Sequence, residues 1–130
     1  MSDLFNILSV SSSGMAAQAD RLRHVSENIA NADTPGYQRK TTSFEQVVEH
    51  GQDTGAVRSG RVELDETPLK QVFDPGHPMA GEDGYYNSSN VEIMVEIADA
   101  REAQRSYEAN LKMFDQARQM STSLLDLLRR

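Results

Sequence analysis

Apolar residues recur every seven positions at both ends of this chain, and the pattern breaks between them. Near the start, Leu8, Met15, Leu22 and Ile29 stand seven apart. Leu4 and Val25 lie on the same side with Ser11 and Gln18 between them, and Phe5, Ser12, Ala19 and Ser26 form the adjoining row. A heptad stripe beside small residues predicts an amphipathic helix from about Ser2 to Asn31, about 45 Å long at the usual rise. Ser11-Ser12-Ser13-Gly14 are weak helix formers, glycine most of all, which predicts a local kink or fraying there. At the other end Ile93, Ala100, Tyr107, Phe114, Ser121 and Leu128 share the seven-residue spacing. Ile97, Leu111 and Leu125 flank them on one side, and Ala103, Ala117 and Leu124 on the other. Ser89 and Glu92 have the capping-box form, and no Pro or Gly follows Gly84. One helix from about Asn90 to Leu128 is expected, approaching 60 Å.

The middle of the chain obeys neither period. Residues 38–89 hold six of the eight glycines and three of the four prolines. Val62 and Leu64 alternate with polar residues, and Leu69 to Phe73 is a short apolar run beyond Asp65-Glu66-Thr67-Pro68; together they predict a hairpin or two short strands. Phe44 to Val48 fits a strand or a short helix equally well. Asp74-Pro75-Gly76-His77-Pro78 and Glu82-Asp83-Gly84-Tyr85 are turns. The expected fold is therefore mainly α: two long N- and C-terminal helices pairing as a coiled coil, with a small β-rich insert. The segments are 1–37 (helix and turn), 38–89 (insert) and 90–130 (long helix packing with 1–37). Whether the helices pair within one subunit or between subunits is left open by the spacing.

Composition narrows the function. With 38% hydrophobic and 6% aromatic residues and no tryptophan, little large apolar material remains for a deep enzyme pocket. The mean hydropathy of −0.59 predicts a chain soluble on its own. The net charge of −7 divides into −2, −4 and −1 over residues 1–37, 38–90 and 91–130. Near-neutral ends can associate without strong self-repulsion, and the acidic balance argues against nucleic acid. The absence of cysteine excludes disulfides and cysteine-zinc sites. Met1 to Gly14 lacks the form of a secretory signal, and no apolar run is long enough to span a membrane.

Candidate chemistry is thin. His24, His50 and His77 have no ligand-like spacing. Ser11 to Gly14 sits in neither a nucleophile elbow nor a phosphate loop. Glu63, Asp65 and Glu66 lie on a short exposed segment without the cleft that acid–base work needs. Tyr107 and Phe114 at heptad spacing read as helix packing rather than a cofactor wall. Catalytic, cofactor and metal sites are expected to be absent.

One stretch resists a purely local account: Asn28-Ile29-Ala30-Asn31-Ala32-Asp33-Thr34-Pro35-Gly36-Tyr37. Pro35 ends a helix and pushes Thr34 out of the α region, and Pro35-Gly36 suits the centre of a type II turn. Asn31 can cap the helix, but Asn28 is too early for that. Its amide, which both donates and accepts, suits a backbone without partners, either in the turn that follows or in a neighbouring chain. Asn28→Ala or Asn31→Ala is expected to weaken assembly more than monomer folding.

These residues resemble the N-x-A-N-x-x-T-x-G-Y signature of the bacterial flagellar basal-body rod and hook proteins: Asn28, Ala30, Asn31, Thr34, Gly36 and Tyr37 match it, with Pro35 in the turn. Asn90-Val91-Glu92 and the stretch Glu102 to Asn110 are similar to that family's terminal helix. His77-Pro78-Met79-Ala80, Gly84-Tyr85 and the Leu4-Phe5-Asn6-Ile7 start resemble a proximal-rod member. The resemblance covers nearly the whole chain. It implies a structural subunit of the periplasmic rod, assembled with copies of itself and other rod proteins into a helical tube that surrounds the export channel and transmits torque. It implies transit through the flagellar export apparatus without a cleaved signal peptide, and no small-molecule substrate. The packing interface is expected at Leu8, Met15, Leu22, Ile29, Ile97, Tyr107, Leu111, Phe114, Leu124 and Leu128. Free ends of the monomer are expected to be partly disordered. The rival reading is a soluble helical adaptor or secretion chaperone forming a small closed oligomer.

Overall fold

The computed structural model describes residues 2–130. Helix α1 spans Ser2–Ala30, strands β1 and β2 span Lys40–Glu49 and Gln52–Leu64, β3 and β4 span Gln71–Phe73 and Tyr85–Asn87, and helix α2 spans Ile93–Leu128. The helices pack side by side within one chain, which resolves the alternative left open by the heptads. They run antiparallel: Asn28 bonds Glu96, Arg21 bonds Asp99 and Glu102, and Gly14 faces Asn110.

The seam between them is not the large-residue stripe. Buried positions on α1 are Leu4, Ser11, Gly14, Ala17, His24, Val25 and Asn28; on α2 they are Glu96, Ala103 and Ala117. Small side chains let the backbones approach closely. At Gly14 an added Cβ would stand 2.7 Å from the Asn110 Oδ1. The predicted weakness at Ser11 to Gly14 does not interrupt α1. Ser11 and Ser13 donate their hydroxyls to the carbonyls of Ile7 and Val10, and the glycine provides the room for Asn110.

α2 starts later than its capping box suggests. Glu92 is the N-cap, in extended conformation and without a side-chain cap bond. Ser89 does not cap α2; its hydroxyl donates to the carbonyl of Ala32, just past α1. The competing partner is the chain turn at the end of the other helix.

The insert also pairs differently from expectation. β2, which contains Val62 and Leu64, pairs antiparallel with β1, so the ambiguous Phe44–Val48 is strand. The run from Leu69 contributes β3, which pairs with β4 instead. His50 and Gly51 join β1 to β2 with φ of 54° and 78°. Positive φ at both central positions is the geometry that suits a two-residue hairpin, because its twist matches the strands. The hairpin folds back along α1: the Val57 N–H donates to Ser13 Oγ at 3.1 Å, and Ser59 Oγ donates to Asp20 at 2.9 Å. Ser13 and Asp20 directly precede Gly14 and Arg21, so the hairpin takes a flank of α1 about 100° round from the seam. Its strands pack on α1 and not on α2.

Candidate functional site: a polar lock where four segments meet

At the C-terminal end of α1 the chain reverses through the asparagine stretch, and the polar residues there converge. Asn31 closes the helix: its side-chain amide donates to the carbonyl of Glu27 at 2.9 Å, and its Oδ1 accepts from the Thr34 hydroxyl at 3.2 Å. Tyr37 N–H then bonds the Thr34 carbonyl at 3.2 Å, with Gly36 at φ 75°. That is the expected type II turn around Pro35-Gly36, and a glycine is needed because its third position requires positive φ. The Gly36 N–H points at the carbonyls of Asn87 and Ser88, tying the turn to the end of β4. Ala30, the last helical residue, is exposed.

Asn28 does a different job. It is 1% exposed and uses its whole hydrogen-bonding capacity. The amide donates to the Lys40 carbonyl at 2.9 Å and to Glu96 Oε2 at 3.2 Å. Its oxygen accepts from the Tyr37 hydroxyl at 2.8 Å and the Lys40 N–H at 2.9 Å. The backbone it serves is therefore that of Lys40 in the same chain, at the root of β1. One side chain thus joins α1, the turn, the hairpin and α2.

Glu96 is fully buried on α2, and a buried carboxylate is tolerated only when paired and hydrogen-bonded. Arg39 meets both conditions: its Nε donates to Glu96, and its guanidinium reaches Asp99 at 2.8 Å and Asp65 at 3.6 Å. Burial works to lower the Arg39 pKa, but the bond and charge of Glu96, with Asp99 and Asp65, outweigh it and hold the group above its ordinary value. Asp65 lies below the usual carboxylate range, chiefly through bonds from Thr67 and then through Arg39. Lys40 and Glu27 pair at 2.5 Å at the rim; the bond lowers the glutamate and raises the lysine. Tyr37 is raised, first by burial and then by the charge of Glu27.

Asn90 mirrors Asn28 before α2. Its oxygen accepts from the Arg39 N–H at 2.6 Å, and its amide donates to the carbonyls of Asp65 and Thr67 at 2.9 and 3.1 Å. Sequence reasoning singled out Asn28, Asn31 and the turn but missed Arg39, Glu96 and Asn90 as lock residues. Glu96 carried a signal: it stands seven before Ala103 and fourteen before Asn110, on the small-residue row.

The predicted packing residues lie beside the seam rather than in it. Leu8, Met15, Leu22, Tyr107 and Phe114 are half-buried, while Ile29, Ile97, Leu111, Leu124 and Leu128 are exposed. Continued at the same register, Ser2 falls level with about residue 122, and residues 122–130 are all exposed. Leu124, Leu125, Leu127 and Leu128 thus stand on an overhanging end of α2, Leu128 at 76%.

His24 is buried beside the lock, His50 sits in the hairpin turn, and His77 accepts a bond from the Met79 N–H while stacking on Tyr86. Among the described residues no group of three or more His, Asp or Glu is arranged to hold a metal. No described helix is long and apolar enough to cross a membrane.

Paired end helices closed by an asparagine-centred lock, with a small β insert between them, define the class of fold. Residues 8–38 match the family described as "Flagella basal body rod protein", and residues 82–127 match "Flagellar basal body rod FlgEFG protein C-terminal". Relatives cover almost the whole chain. The flagellar basal-body rod protein FlgC of Agrobacterium fabrum is 41% identical over 92% of this chain and 91% of its own. The FlgC proteins of Aquifex aeolicus and Salmonella typhimurium are 41% and 34% identical, over 88% and 95% of this chain and 89% and 97% of theirs. The chain belongs to the FlgC family of flagellar basal-body rod proteins.

Proposed function

We propose that this chain is a structural, non-catalytic subunit of the flagellar basal-body rod. Copies of it and other rod proteins pack side by side into a helical tube that surrounds the export channel and carries torque. The observation that carries this reading is the unfilled packing capacity of the locked helix pair. The flanking rows, from Leu8, Met15, Leu22 and Ile29 to Ile97, Tyr107, Leu111, Phe114, Leu124 and Leu128, offer apolar surface along the length of both helices. Contiguous apolar surface of this kind marks an interaction face. The rod is periplasmic in this reading, and the chain reaches it through the flagellar export apparatus without a cleaved signal peptide.

The asparagine motif serves assembly indirectly. Asn28, Ala30, Asn31, Thr34, Pro35, Gly36 and Tyr37 fix how the helices leave the lock, and so set the geometry in which the apolar rows are presented. A discrete dimer indifferent to other rod proteins in analytical ultracentrifugation would favour the adaptor reading instead. The direct test is Leu124→Asp with Leu128→Asp in motile cells: loss of swimming and of rods from isolated basal bodies is expected, while normal motility would overturn the proposal.

A further inference from the structure

The tip of the β1–β2 hairpin and the back of α2 are separate surfaces of opposite charge. Residues 45–57 carry Glu45, Glu49 and Asp53 and no Lys or Arg. Arg58 holds Glu45 at 3.3 Å. Glu49 and Asp53 have no ion-pair partner among the described residues, and Val48 beside them is 59% exposed. On α2, the side turned away from the seam presents Met94, 76% exposed, and Ile97 beside Arg101 and Arg105. Together with Ala98 and Glu102, whose carboxylate is held by Arg21 at 3.3 Å, these residues line a shallow depression of about 530 Å³. Neither arginine has an ion-pair partner among the described residues.

Each surface combines wet apolar side chains with charges that make no ion pair among the described residues. The two cannot satisfy one another within a copy, because the hairpin strands pack on α1 and not on α2. We infer that they meet between copies: the hairpin tip of one subunit seats on the back of α2 of a second copy of this chain. Val48 and its cross-strand partner Asp53 share one face of the hairpin: Val48 then lies against Met94 and Ile97 and Asp53 faces Arg101 and Arg105, with Glu49 at the edge of the tip. Opposed potentials of this kind fix register and exclude wrong partners. A second copy is the occupant because one chain carries both the acidic tip and the basic bed. The contact joins two different surfaces, so it repeats from copy to copy and generates a ring or an open helix. This inference rests on the rod reading and adds to it the part of α2 that receives the insert.

The chain lacks cysteine, so crosslinking is clean. Cells would express Val48→Cys and Ile97→Cys as two separate chains, and isolated basal bodies would be oxidised. A covalent dimer of twice the chain mass is expected when both are present and not with either alone. A crosslink from Val48→Cys to a protein of another mass would overturn the identity of the occupant. Basal bodies that contain both variants but no dimer would overturn the docking and leave the rod reading standing. Basal bodies without even the wild-type chain would overturn the rod reading itself. As a second measure, Glu49→Lys with Asp53→Lys should reduce swimming at least tenfold, and adding Arg101→Glu with Arg105→Glu should restore it. Full motility in the first double variant, or no recovery in the quadruple one, counts against the contact.

Discussion

The two ends of the helix pair solve opposite problems. At the lock, buried polar groups from α1, the turn, the hairpin root and α2 satisfy one another inside one chain, and Asn28 has no bonding capacity left over. At the far end α2 runs on past α1, and Leu124, Leu125, Leu127 and Leu128 stay exposed. The first end sets a geometry and the second offers it to neighbours. Polar networks specify one arrangement because each member needs its particular partner. Apolar surface is less exacting and stabilises whatever covers it.

Breaking the lock should give the largest effects. Arg39→Ala leaves Glu96 as a buried carboxylate without its cation. A loss of about 3 kcal/mol in urea unfolding is expected, the low end for a broken buried pair because Arg39 keeps 18% side-chain exposure. An unchanged urea midpoint would remove the lock from the stability argument. Asn28→Ala should follow, costing about 1–3 kcal/mol in all, since water can reach some of the groups it leaves unpaired. The loss should be seen in the free monomer, since all four partners are in the same chain; a variant that folds normally but fails to assemble would return this amide to a neighbour. Along the seam, Gly14→Leu should cost about 1–3 kcal/mol by overpacking against Asn110, measured by thermal unfolding.

Acid should loosen the lock more gently. Glu27 and Asp65 have folded pKa values below their ordinary 4.5 and 3.8, so the unfolded chain binds these protons more readily. The stability they contribute is present above the ordinary values and falls away as pH drops through the folded ones. Tyr37 and Lys40 have the opposite sign: both are raised, so their contribution holds below their ordinary values of 10.0 and 10.5 and is lost as pH rises through the folded ones. A Tm profile flat between about pH 6 and 9 that falls on both sides would agree; a maximum below pH 4 would not. The smallest effect on folding belongs to the overhang. Leu128→Asp should change the free energy of urea unfolding by less than about 0.5 kcal/mol while sharply reducing rod assembly.

Much of this contrast could be read from the chain. The seven-residue spacing located both helices, and Pro35-Gly36 specified the turn. The choice of buried row could not be read from hydrophobicity, because the seam runs through Ser11, Gly14 and Ala17 against Ala103, Asn110 and Ala117. A scan for large apolar residues finds the rows on either side. Of the two readings the insert allowed, a hairpin or two short strands, the structure has the strands, each with another partner. Val62 and Leu64 alternate like a strand, but their partners Thr42 and Lys40 carry no apolar signal. His50-Gly51 is also a weaker turn signature than Asn-Gly. Arg39 became informative only once the fold had brought it against Glu96, 57 residues further on.

That separation has a consequence in time. Asn28 lies 68 residues before Glu96, and Arg39 lies 51 before Asn90. Contacts so far apart in sequence form slowly, since a long loop must close before they return any stabilisation. The lock therefore closes only after the chain between the two helices has folded back. Until the final helix docks, Asn28 and Arg39 lack their α2 partners, and any fragment ending before α2 is left permanently unfinished.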